Sequence, residues 1–208
     1  MDFRHPLQLI SSSLDTDVLA VLARADTFFT RAQIQALMGH GSQAGVHRVL
    51  RRLAEQGIVN SEVSGQTYRY RLNRRHLAAP LIETLAQPLK LLLERLPSSL
   101  SNWEAPAICV SVFGSVARGE AGIASDLDIL VVRPDSIDED DPRWREQVDG
   151  LAGDATAMTG NEARILEYSA AEATRLSTAE PLLQEIRRDG LLLMGSLALL
   201  MPKTAARA

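Results

Sequence analysis

A single cysteine, Cys109, among 208 residues excludes an intramolecular disulfide and any cysteine-rich zinc site. Aromatic side chains are scarce as well, at 4% of the chain. Long apolar runs are missing: the longest, Leu191–Met201, is interrupted by Gly195 and Ser196 and is too short to span a bilayer. Met1–Pro6 lacks the charged-then-apolar layout of a secretory signal. These absences set the expectation of a cytoplasmic protein with no membrane partner. What is present is ample apolar material, 46% hydrophobic residues against 23% charged, which excludes wholesale disorder. The length fits one domain or two small ones.

Charge is unevenly spread. Residues 1–80 hold ten Arg against six Asp and Glu, a balance of +4, whereas residues 81–208 carry a balance of −8. A basic N-terminal module suited to a polyanion, followed by a part with another task, fits that asymmetry.

Helical spacing of Leu14, Val18, Leu19 and Leu22 predicts a first helix over about Asp15–Ala25. Thr30-Arg-Ala-Gln33 is a capping-box pattern that opens a second helix, with Ile34, Leu37 and Met38 turned inward and Gly39 as its end. Ser42 can cap a third helix that buries Val46, Val49, Leu50 and Leu53 and stops at Gly57. Ile58–Val63 and Thr67–Leu72 alternate in polarity around Ser64-Gly65-Gln66, a hairpin pattern. This element order, together with Val49-Leu50-Arg51-Arg52-Leu53 and Gly57-Ile58-Val59, resembles a winged helix-turn-helix over about residues 12–76. The resemblance implies that double-stranded DNA is a partner and that the third helix enters the major groove. The residues expected to meet DNA are Ser42, Gln43, His47, Arg48 and Arg51 on that helix and Arg69 and Arg71 on the wing, the latter toward phosphate. A partner-docking module with solvated arginines is the alternative.

Leu77, Leu81, Leu85, Leu89, Leu92 and Leu96 form a stripe at spacings of four and three. Two readings stand side by side: packing on the stripe's own domain, or a homodimer seam through the Leu77–Leu96 helix. Pro88 should kink that helix or divide it. Pro97–Pro106 reads as a domain junction. The expected division is therefore residues 1–76, a connecting segment 77–104, and a second domain 105–208.

In that second domain Ile108–Phe113 is an apolar strand run ending at Gly114-Ser115-Val-Ala-Arg118-Gly119. After ten intervening residues comes Asp126-Leu-Asp128, leading into Ile129–Val132. Residues two apart on a strand share a face, so Asp126 and Asp128 present their carboxylates together, about 7 Å apart at the backbone. Two hard carboxylates side by side suit Mg²⁺ (or Mn²⁺) shared with substrate phosphates. Gly114 permits a tight turn, and Ser115 offers a hydroxyl and an N–H to phosphate oxygens. Arg118 reads equally as a phosphate contact or as half of a structural ion pair. The Gly-Ser turn followed by Asp-x-Asp, set between two apolar strands, resembles the nucleotidyltransferase signature of the polymerase-beta-like superfamily, and within it the minimal nucleotidyltransferases, over about residues 105–195.

That resemblance implies transfer of a nucleoside monophosphate from ATP or another nucleoside triphosphate to an acceptor hydroxyl, on a protein partner, including toxin-like helical partners, or on an antibiotic. Asp126 and Asp128 would hold metal, and Gly114, Ser115 and Arg118 the nucleotide. Members of the superfamily place a third carboxylate on a later strand. Here that strand is Glu162–Tyr168, and the matching position is Arg164. Three readings remain: Glu162 supplies the third acid, a register shift brings in Glu167, or the site is metal-poor and slow. Cys109 reads as a small buried hydrophobe, and Asp135–Asp141 as a solvated loop. Helices over Pro142–Thr159, Ser169–Leu176 and Pro181–Arg188, a last strand at Gly190–Gly195 and a frayed tail at Lys203–Ala208 complete the domain.

The fold class expected is α+β (mixed α/β): a winged helix-turn-helix followed by a small mixed sheet flanked by helices. Its function is expected to be DNA binding joined to nucleotidyl transfer, with autoregulation of its own transcription. The rival is a transcriptional regulator whose nucleotidyltransferase fold serves as nucleotide sensor or interaction surface.

Overall fold

The computed structural model describes residues 1–200, so the Lys203–Ala208 tail lies outside the described residues. Helices and two small sheets make an α+β fold, and the chain divides into two compact units, residues 2 and 4–88, and residues 1, 3 and 89 onward.

The first unit opens with α1 (Leu14–Ala23) and the two-residue strand β1 (Phe29–Thr30). Thr30 and Gln33 close a reciprocal capping box: the Gln33 N–H donates to Thr30 Oγ1 at 3.3 Å, and the Thr30 N–H donates to Gln33 Oε1 at 2.8 Å. This starts α2 (Arg31–Met38), which Gly39 ends in the left-handed region at φ 73°. Ser42 Oγ accepts the Gly45 N–H at 3.1 Å and opens α3 (Gln43–Glu55), whose Val46, Val49, Leu50 and Leu53 are buried. The strands β2 (Val59–Ser64) and β3 (Thr67–Leu72) form the hairpin, and β1 adds to β3 to give the order β1-β3-β2. Val18, Leu22, Ile34, Leu50 and Leu72 meet in one core, and a fully buried leucine or isoleucine stabilises by about 2 kcal/mol. Leu37, expected inward, is 57% exposed, because Ile34 and Met38 already fill the buried face of this short helix.

The leucine stripe is not one helix. It is cut at Ala86–Gln87 into α4 (Ala79–Leu85) and α5 (Pro88–Arg95), as the proline rule allows. Leu77 and Leu81 stand 95% and 67% exposed, while Leu92 and Leu96 are buried in the core of the second unit. The stripe is therefore not one continuous helical face. Pro97–Pro106, expected as a junction, instead contributes Leu100 and Trp103 to that second core.

The second unit is built on a four-stranded sheet in the order β6-β5-β4-β7. Its elements in chain order are β4 (Cys109–Phe113), α6 (Gly114–Ala117), β5 (Leu127–Arg133), α7 (Pro142–Thr159), β6 (Ala163–Ser169), α8 (Ala170–Leu176), α9 (Pro181–Asp189) and β7 (Leu191–Gly195). Strand β5 runs parallel to β6 and antiparallel to β4, and β7 pairs antiparallel with β4. Alternation sends Leu127, Ile129 and Val131 to the face covered by Trp144, Val148 and Leu151 of α7. Leu130 and Val132 go to the other face, under Ala173, Leu183 and Ile186 of α8 and α9. Cys109 is buried there, and burial pushes its thiol up to about 11. Asp141, at the end of the acidic run, caps α7 by accepting the Arg143 N–H at 2.9 Å. No helix among the described residues is long and apolar enough to cross a membrane.

Candidate active site and nucleic-acid face

Two strand ends and one turn gather the acids. Phe113 at the end of β4 lies opposite Asp128 on β5, so the chain leaving β4 turns directly beside that carboxylate. Gly114 makes the turn at φ 70°, and a Cβ there would sit 2.6 Å from Asp128 Oδ2. Both conformation and space require glycine at this point. Ser115 follows, half-buried in α6, a helix of only four residues. Its hydroxyl makes no hydrogen bond among the described residues.

Asp126 precedes β5 by one residue, and Asp128 is the one position of that strand that is not buried. Their placement depends on Asn161, 2% exposed, whose Nδ2 donates to the carbonyls of Gly122 at 3.2 Å and Ser125 at 2.7 Å. Asn161 thereby ties the loop entering β5 to the end of α7, and nothing in the sequence pattern marked it. Burial pushes the Asp128 carboxyl above the usual carboxylate range; the Asp126 charge adds to the rise, and Arg164 and Arg118 oppose it.

The parallel register puts Arg164 level with Asp128, and Arg164 Nη1 lies 2.7 Å from Asp126 Oδ2. A guanidinium thus stands at the position matched to a third acid. Glu162 is exposed, and among the described residues it does not converge with Asp126 and Asp128 into a three-ligand group. A register shift onto Glu167 is excluded by the regular ladder. Glu167 faces α7, where it accepts from Arg133 Nε at 2.9 Å, Trp144 Nε1 at 2.8 Å and Arg145. Of the readings for Arg118, the structure displays an ion pair, with Glu120 at 2.9 Å. The donor set accordingly fits one divalent ion held by Asp126 and Asp128 together with phosphate oxygens. Among the described residues no third carboxylate converges with this pair.

In the first unit Gln43, His47, Arg48 and Arg51 lie exposed on α3. Arg48 has no ion-pair partner among the described residues, whereas Arg51 Nε is 3.3 Å from Glu55 Oε1. Gln43 and His47 border a groove of about 290 Å³ shared with Arg31 at the start of α2 and with Tyr68 and Tyr70 of the wing. The Ser42 hydroxyl is committed to its helix cap. Arg69 and Arg71, expected to be free for phosphate, are engaged: Arg69 pairs with Glu62 at 2.5 Å and Arg71 with Asp26 at 3.8 Å. Both lie over the Phe28 ring, at 5.5 and 4.6 Å from its centroid. Tertiary placement thus brings Glu62, Asp26 and Phe28 against these two charges.

Residues 95–173 match the family model of the nucleotidyltransferase domain. Among solved structures, a chain described as the crystal structure of a toxin-antitoxin with AMP-PNP is 22% identical at a TM-score of 0.35, covering 50% of this chain and 73% of that one. An archaeal chromatin protein, described as showing a novel mode of DNA binding, is 14% identical at a TM-score of 0.31, covering 85% of this chain and 75% of that one. None of the curated proteins is similar enough to match this sequence.

Proposed function

We propose that the second unit transfers a nucleoside monophosphate from ATP or another nucleoside triphosphate to an acceptor hydroxyl. The acceptor oxygen attacks the α-phosphorus, the bond to the bridging oxygen breaks, and pyrophosphate leaves. The observation that carries this reading is the abutment of the Gly114 turn on the Asp128 carboxylate, with the Asp126 charge acting on that same carboxylate. Asp126 and Asp128 would hold Mg²⁺, or Mn²⁺ in its place. Bound there, such an ion would offset the charge that develops on the departing pyrophosphate. Gly114 keeps the approach open, because any side chain would occupy the space beside Asp128. Ser115 supplies a hydroxyl and an N–H for phosphate oxygens. Arg164, 61% exposed, holds Asp126 in place while its charge stands ready to pair with triphosphate instead. Incubation with α-labelled ATP and Mg²⁺ should transfer label to an acceptor or to the chain itself, and Asp128→Ala should abolish it. Label transferred equally by both proteins would refute the proposal.

A second reading concerns the first unit: a winged helix-turn-helix that binds double-stranded DNA and acts in transcription, including that of its own gene. It is favoured by the exposed Arg48, without an ion-pair partner among the described residues, beside His47 and Gln43 on α3. Binding should fall steeply with salt; affinity that stays negligible at low salt would end this reading.

A further inference from the structure

Three segments of the first unit converge on one buried carboxylate. Asp17 of α1 is 6% exposed. His5, just before the 3-10 turn Pro6–Leu9, places Nδ1 3.4 Å from Asp17 Oδ1. His40, in the turn between α2 and α3, places Nε2 3.2 Å from Asp17 Oδ2. The two imidazole rings stand 5.8 Å apart at 62°, and one donor atom from each of the three residues falls within 4.8 Å of the other two. Gln8 Nε2 donates to Asp17 Oδ1 at 3.1 Å and thereby orients the carboxylate from behind.

These separations have a physical meaning. Ligand atoms about 2.0–2.1 Å from a tetrahedral ion stand roughly 3.3 Å from one another. The two observed nitrogen–oxygen distances fall on either side of that value, each to a different oxygen of the Asp17 carboxylate. Backbone geometry fixes His40 where it is: glycines with φ of 73° and 86° flank it at positions 39 and 41. A Cβ on Gly41 would also meet Leu14 Cδ2 at 2.9 Å, so this turn lies directly against α1. Two imidazoles and one carboxylate favour a borderline ion over Mg²⁺, which prefers an all-oxygen shell.

We infer that His5, Asp17 and His40 form a site for a zinc-class divalent metal, with three protein ligands and one position left for a fourth. The side chains of His5 and His40 are 33% and 43% exposed, giving the ion a route from solvent. Because the ligands come from three separate segments, the ion would clip the segment before α1 and the α2–α3 turn onto the helix between them. Metal binding would then appear as added stability of this unit. The inference is independent of nucleotidyl transfer and uses none of its residues.

Co²⁺ is a direct probe, since tetrahedral coordination by nitrogen and oxygen gives visible absorption that Mg²⁺ does not compete for. The full chain, titrated with Co²⁺ in excess Mg²⁺, should take up one equivalent, with the band displaced by Zn²⁺. His40→Ala and His5→Ala should each weaken binding by about tenfold or more. Asp126→Asn and His47→Ala should leave it unchanged. Zn²⁺ should raise the Tm of the wild type but not of His40→Ala or His5→Ala. The inference is overturned if the wild type shows neither band nor Tm shift, if both histidine variants bind as the wild type does, or if the band follows Asp126 or His47.

Discussion

Glu167 and the Asp126–Asp128 pair occupy the two faces of one sheet, and their charges are met in opposite ways. Glu167 is surrounded by donors, with Arg133, Trp144 and Arg145 all on it and only 17% of its side chain exposed. Asp126 has a single exposed guanidinium, and Asp128 has a like charge beside it, a glycine against its oxygen and a carboxyl pushed above its usual range. A carboxylate answered by its own fold is structural. A pair met only by the exposed Arg164 and by Arg118 is the candidate for a ligand from solution. The arginines of the first unit divide on the same principle: Arg69 and Arg71 are answered by Glu62, Asp26 and Phe28, and Arg48 is not.

The most severe way to break the comparison is to remove the unanswered acids. Asp126→Ala should lower nucleotidyl transfer by about a thousandfold while leaving the urea midpoint near that of the wild type. Glu167→Ala should do the reverse. It leaves Arg133, which is 8% exposed, with only the Ile137 carbonyl and a 3.9 Å contact to Glu139, and should cost about 3 kcal/mol in urea denaturation with little change in turnover per folded molecule. Arg164→Asp supplies the missing acid and withdraws the competing guanidinium, so Mn²⁺ affinity measured by electron paramagnetic resonance should tighten by about tenfold. On the other unit, Arg48→Ala should lower the salt slope of DNA binding by about 1, whereas Arg69→Ala should leave it nearly unchanged.

The smallest effect is on pH dependence. A folded carboxyl that titrates above its unfolded value holds its proton longer when folded, so its ionisation lowers stability as pH rises through the folded pKa. Asp128→Asn removes that ionisation. Its Tm at neutral pH should therefore equal or exceed that of the wild type, and the difference should vanish as pH falls below the ordinary carboxylate range.

The same contrast explains what could be read from the chain beforehand. Caps and alternation are local, so the Thr30–Gln33 box, the Ser42 cap and the buried stripe of α3 were legible, as were strands β4 and β5 flanking the two acids. The fold class followed from those elements. Charge compensation is tertiary and was not. Alternation placed Glu167 on the opposite face of β6, but not the three donors waiting there. The spacing of Arg69 and Arg71 separated them from Tyr70 and Leu72, yet nothing local showed Glu62, Asp26 and Phe28 taking up their charges. Pro88 marked the division of the leucine stripe, but leucine spacing could not reveal that its halves serve two cores. His5, Asp17 and His40 are 12 and 23 residues apart, and the strand β1 is only two residues long; neither leaves a periodic trace.

The most direct measurement is anomalous diffraction from crystals grown with Mn²⁺ and a non-hydrolysable ATP analogue. The account predicts an ion touching Asp126 and Asp128, with the triphosphate against the Gly114–Ser115 turn. Nucleotide bound elsewhere, or those two carboxylates without an ion while the nucleotide is present, would contradict it.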